Sequence, residues 1–143
     1  SFNRVQFWLA RLMKPGTFMN RSGAAVQAVA AFYRIAPGEM LVVHDEIDLP
    51  PGTVRLKQGG GHGGHNGVRD VIACIGADFW RLRLGVGHPG EKEQVIGAVL
   101  GRASAADQQL IDAALARALT ALPILLNEGA QKAMNNLHTS EGA

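Results

Sequence analysis

Six of the nine residues from Gly59 to Gly67 are glycine, and this stretch constrains the fold more than any other. Just upstream, Thr53 to Lys57 alternates Val54 and Leu56 with Arg55 and Lys57, the two-residue period of a half-exposed strand. Just downstream, the segment from about Val68 to Ile75 reads as a helix. A strand that passes through glycines into a helix places backbone N–H groups and a helix N-terminus where an anion can meet them.

The remaining segments interleave in the same way. Phe7 to Met13, stopped by Lys14-Pro15-Gly16, suits a strand and turn. Ser22 is placed to cap a helix whose apolar positions Ala25, Val26, Val29, Ala30 and Phe32 recur at three-to-four spacing up to Ile35, with Pro37-Gly38 closing it. Met40 to His44 reads as a buried strand emerging at an acidic loop of Asp45, Glu46 and Asp48. Trp80 to Val86 alternates Leu82 and Leu84 with Arg81 and Arg83. In the tail, Ser104 and Asp107 resemble a capping pair for a long helix with the stripe Leu110, Ile111, Leu115, Leu119 and Leu122. Pro123 is expected to bend or end that helix, and a shorter one around Gln131 to Leu137 follows the break at Asn127-Glu128-Gly129. The expected architecture is α/β, a single domain over residues 1–143 with a mixed twisted sheet flanked by helices.

Composition narrows the class. Apolar residues form 47% and charged residues 18% of the 143, enough to bury a core and too little charge for disorder. Residues 1–92 hold eleven basic and seven acidic side chains, +4, and the rest three and five, −2, so cations gather upstream and an anionic partner is in play. No apolar run is expected to approach the roughly 18 residues that cross a bilayer, which reads as a soluble chain. Cys74 is the single cysteine, so no internal disulfide forms and a reducing, cytoplasmic setting is the simpler reading. The chain opens on Ser1 and enters an apolar run at once, as a piece of a longer protein would.

Several constellations invite chemistry. Gly59, Gly61 and Gly64 match the dinucleotide fingerprint in spacing, but the preceding strand carries Arg55 and Lys57 where such a strand is normally buried on both faces, and no acidic residue follows at the right distance. His65-Asn66 stands where a triphosphate loop needs Lys and Ser or Thr. His62 and His65, with His44, Asp45 and His88 at strand ends, suggest a zinc hydrolase, against the plainer reading that these imidazoles hydrogen-bond backbone or RNA. Cys74, among Val71, Ile72 and Ile75, reads as core, and Ser22 as a cap rather than a nucleophile. Asp45 follows a strand, where α/β sheets bind ligands, or is a solvated turn carboxylate. Asn20 and Asn66 sit at helix entries as caps, or as paired amides facing a carbonyl. Lys57 with Arg55, and Arg81 with Arg83, make a phosphate-binding surface if their strands are neighbours.

Four motifs then line up in order: Lys14-Pro15-Gly16-Thr17-Phe18-Met19-Asn20-Arg21-Ser22-Gly23, His44-Asp45-Glu46-Ile47-Asp48-Leu49-Pro50-Pro51-Gly52, the glycine loop through His65-Asn66-Gly67, and Arg81-Leu82-Arg83-Leu84-Gly85-Val86-Gly87-His88-Pro89-Gly90. Together they resemble bacterial peptidyl-tRNA hydrolase from about Phe7 to His138. The resemblance implies a monomeric α/β enzyme without metal or cofactor that cleaves the ester between a peptide and tRNA, recycling prematurely released peptidyl-tRNA. It implies an aspartate at Asp45 that orients a base histidine, and amides at Asn20 and Asn66 that hold substrate and water. Phe18, Met19 and His65 would line the groove, and Lys57 and Arg83 would clamp the tRNA 5′ phosphate. In the family the base histidine comes from an N-terminal segment with Gly-Asn-Pro-Gly and Thr-Arg-His-Asn stretches, neither of which occurs in this sequence. None of its five histidines matches that position, so water activation is expected from a histidine outside the sequence, supported by Asp45. A non-catalytic RNA-binding domain and a zinc hydrolase built on His62 and His65 are the competing readings. The expected site is a buried Asp45 flanked by two carboxamides at the edge of a cleft.

Overall fold

The computed structural model describes residues 12–13, 22–88 and 104–140. Helix α1 spans Ser22–Tyr33, strand β1 Leu41–Glu46, β2 Val54–Gln58, helix α2 Asn66–Ile75, β3 Trp80–Gly85, α3 Ala105–Glu128 and α4 Ala130–Ser140. The strands form a mixed sheet in the order β1-β3-β2, with β1 parallel and β2 antiparallel to β3. The expected α/β architecture is therefore present.

Alternation along the strands gives each sheet face its own partner. Val54, Leu56 and Leu82 pack on Ala114, Ala118 and Ala121 of α3 and on Ala133 and Leu137 of α4. On the other face Val42 and Met40 meet Val68 and Val71 of α2, Phe79 and Val26 of α1. Burial of a Leu137 or Phe79, both 0% exposed, contributes about 1.5–3 kcal/mol each. Helix α1 docks on α2 at Gly23, whose N–H donates to Asp70 Oδ2 at 2.7 Å. A Cβ there would stand 2.3 Å from the Asp70 carbonyl oxygen, so only glycine permits the approach.

Several boundaries differ from expectation, each for a local reason. The Phe7–Met13 segment lies outside the described residues apart from Leu12 and Met13, which are in neither helix nor strand. Ser22 is the first residue of α1 rather than its cap. The helix ends before Pro37-Gly38, in a turn where Ile35 N–H donates to Ala30 O and Arg34 N–H to Ala31 O, with Arg34 at φ 55°. Phe32 is not on the packed stripe and is 79% exposed. Strand β1 runs on through Asp45 and Glu46, which were expected in a loop, and Val43 is half exposed where a buried strand was expected. Helix α2 starts two residues early, at Asn66.

Helix α3 departs most. Its cap is as expected, Ser104 Oγ accepting from Asp107 N–H at 3.1 Å. Its packed stripe is not the leucines but Ala114, Ala118 and Ala121; Leu110, Leu115 and Leu119 are exposed. The facing sheet side chains are large, so a helix lying close to them needs small residues at the contact. Pro123 does not end the helix, which continues to Glu128. Contrary to the expectation of no bilayer-length apolar run, α3 is long and apolar enough to cross a membrane by length and composition alone.

Candidate functional site

Asp45 is the penultimate residue of β1, and β1 pairs in parallel with β3 so that both strands end at the same edge. The glycine loop returns there and enters α2, bringing His65 to that edge as the residue before the helix. His65 Nδ1 accepts the Val68 N–H at 3.2 Å, so this nitrogen holds the lone pair and the helix cap is His65, not Asn66. The proton of the neutral ring is then on Nε2, which lies 3.1 Å from Asp45 Oδ1 and donates to it. This hydrogen bond holds the Asp45 carboxyl below its ordinary range, against the opposing effect of partial burial. The Asp45 side chain keeps 40% of its surface exposed, so it is a part-exposed carboxylate rather than the buried one expected.

A second imidazole approaches the same residue. His44 Nδ1 is 2.8 Å from the Asp45 carbonyl oxygen, which can only accept, so Nδ1 is the donor and Nε2 of the neutral ring carries the lone pair. Nε2 has no hydrogen-bond partner among the described residues. His44 is 9% exposed, and its burial, ahead of the nearby charges, pushes its pKa down, so the neutral form is favoured. The His44 and His65 rings meet edge to face with centroids 5.0 Å apart.

His44 also lines a cleft of about 320 Å³ whose walls include Glu46, Lys57, His62, Arg81 and Arg83. Its cations follow from register. Strands β2 and β3 are neighbours, with Lys57 directly opposite Arg81 and Arg55 opposite Arg83, so all four share one face. Like charges placed opposite cost stability, and the fold offsets this unevenly. Arg81, 1% exposed, donates to the carbonyls of Gly60, Gly61 and Ala77 and lies 4.5 Å from the Phe79 ring centre. Arg83 Nη1 is 3.9 Å from Glu46 Oε1. Burial and then the neighbouring Arg83 and Arg81 push the Lys57 ammonium below its ordinary pKa, against the opposing pull of Glu46.

Of the residues singled out from sequence, Asp45 and His65 are brought into direct contact, and Lys57 and Arg83 line one cleft. Asn66 is exposed at the first position of α2, next to His65. Asn20, Phe18 and Met19 lie outside the described residues. The zinc alternative lacks a ligand set: both His65 nitrogens are engaged, His62 Nδ1 accepts from Gly64 N–H, and no group of three such ligands exists among the described residues. His44 and Arg81 are the residues whose importance sequence left understated. For Arg81 the signal was the alternation of β2 and β3, and for His44 its register opposite Arg83, both informative only once the strand order is known.

A sequence model of the family described as Peptidyl-tRNA hydrolase matches residues 3–143. A peptidyl-tRNA hydrolase of Vibrio parahaemolyticus is 56% identical over 131 residues, covering 90% of this chain and 67% of its own length. One from Shewanella baltica is 57% identical with the same coverage. The crystal structure of peptidyl-tRNA hydrolase from Acinetobacter baumannii is similar at a TM-score of 0.81 and 51% identity, over 86% of this chain and 63% of that one. The chain thus spans about two thirds of the length of the relatives it matches.

Proposed function

The chain belongs to the peptidyl-tRNA hydrolase family, and from that premise we propose that it acts in hydrolysis of the ester joining a peptide, or an N-blocked aminoacyl group, to tRNA. The observation that carries this reading is an anionic carboxylate at Asp45, held by His65, which His44 connects to a cation-rich cleft by bonding the Asp45 carbonyl and meeting the His65 ring. Ester hydrolysis needs a group that stabilises an imidazolium as water is deprotonated, and a carboxylate within hydrogen-bond reach does so. His65 cannot itself be that base, because its lone pair is spent on Val68 N–H. By resemblance the base comes from a Thr-Arg-His-Asn segment that this sequence does not contain, and the exposed part of Asp45 is free to meet it.

The N-terminus of α2, with the Asn66 amide exposed beside it, supplies neutral donors and the positive end of a helix dipole for negative charge developing on the ester carbonyl. Asn20, Phe18 and Met19 would complete the groove. Lys57 and Arg83 in the cleft suit a terminal phosphate, bound by charge without reading bases. The test is release of N-acetylated amino acid from N-acetyl-aminoacyl-tRNA by the protein, beside aminoacyl-tRNA with a free amine. Release from the blocked substrate supports the reading. Binding of tRNA with no release would replace it with a non-catalytic RNA-binding role.

A further inference from the structure

Three cations meet in one cleft, yet they are not equivalent. The Arg81 guanidinium is turned inward: Nη2 donates to Gly60 O at 2.7 Å and Ala77 O at 3.1 Å, and Nη1 donates to Gly61 O. Both terminal nitrogens are thus committed to backbone carbonyls, while Nε is buried without a hydrogen-bond partner among the described residues. Gly60 is what it holds. That glycine has φ 92°, and a Cβ on it would lie 2.7 Å from Lys57 Nζ. The Gly60 carbonyl therefore rests on Arg81 while its α-carbon forms the wall against which the Lys57 ammonium sits. Lys57 and Arg81 are directly opposite in the β2–β3 register, and one glycine of the loop separates their charges.

Resting on the reading that this cleft takes an RNA phosphate, we propose that Arg81 is a positioning residue for it: by fixing the carbonyls of Gly60 and Gly61, it seats the Lys57 ammonium beside Arg83 before the anion arrives. Preorganisation of this kind removes the ordering cost of a flexible lysine and a glycine-rich loop from the binding step. The planar fork of an arginine is needed because three carbonyls must be held at once, which a lysine ammonium at the end of a flexible stem does not do in fixed geometry. The lowered pKa of Lys57, due to burial and then to Arg83 and Arg81, fits an ammonium held in place without its counter-anion.

The experiment compares affinity for acceptor-stem RNA duplexes carrying a 5′ phosphate or a 5′ hydroxyl, read by fluorescence anisotropy at fixed salt. Wild type should prefer the phosphate by about tenfold. Arg81→Lys keeps the charge, and should bring that preference to within about twofold while leaving affinity for the hydroxyl duplex within about twofold of wild type. Gly60→Ala keeps the Arg81 side chain but crowds the Lys57 ammonium and strains the backbone at φ 92°, and should lose the preference in the same way; it decides the matter if Arg81→Lys fails to fold. A purely structural role would weaken both duplexes alike. Retention of the wild-type ratio in either folded variant, or equal loss on both duplexes, overturns the role of Arg81. Absence of any phosphate preference in wild type overturns instead the reading of the cleft as a phosphate site.

Discussion

His65 Nε2 lies 3.1 Å from Asp45 Oδ1 while the same ring accepts Val68 N–H through Nδ1. One side chain thus fixes the start of α2 and holds the carboxylate in its charged form, coupling the fold to the candidate site.

Replacing His65 by Ala should therefore do two things. Loss of the cap costs about 0.5–2 kcal/mol in urea unfolding. The Asp45 carboxyl, no longer held down by the imidazole, should titrate at higher pH, so the acid limb of the activity profile moves upward. The sign follows from the depressed pKa: this interaction stabilises above the unfolded carboxyl range and is lost as pH falls through the lowered folded value. An unmoved acid limb would show that His65 does not control Asp45.

His44 gives a dependence of the same sign at higher pH. Its folded pKa lies below the ordinary 6.5 because the ring is buried. The unfolded chain then binds more protons as pH drops below that value, so stability falls from about 6.5 down to the folded pKa and levels off beneath it. His44→Phe should flatten this part of the stability curve, read by thermal unfolding at a series of pH values. A curve that keeps the same slope would place its cause elsewhere.

Lys57→Gln should weaken RNA binding and reduce the slope of log affinity against log salt by about one, since one phosphate contact goes. An unchanged slope would mean that Lys57 meets no phosphate.

The contrast between the core under α4 and the outer face of α3 gives a stability test. Leu137, wholly buried where α4 meets the sheet, should cost about 2–5 kcal/mol when cut to Ala. Leu119, 67% exposed, should cost no more than about 0.5 kcal/mol. Equal losses would restore the leucine stripe that periodicity suggested.

The helix–strand order was legible because β2 and β3 carry a clean two-residue alternation, β1 is a short apolar run with two valines, and the glycine loop marks its junction. Helix α3 was misread because its leucines and alanines both recur at helical spacing, and only the bulk of Val54, Leu56 and Leu82 opposite decides which set approaches closely. Asp45 and His65 could be named from motifs, but their contact depends on a parallel pairing between strands 39 positions apart along the chain, Leu41 with Trp80. The opposition of Lys57 and Arg81 was likewise hidden, because alternation gives the face of a residue and not the register between strands.

The most direct measurement is turnover of N-acetyl-aminoacyl-tRNA by Asp45→Asn, taken beside its tRNA affinity. The amide keeps the shape of the carboxylate and removes its charge. Turnover should fall by about 100-fold or more with affinity changed by less than about threefold. Turnover within about threefold of wild type would contradict a role for Asp45 in water activation.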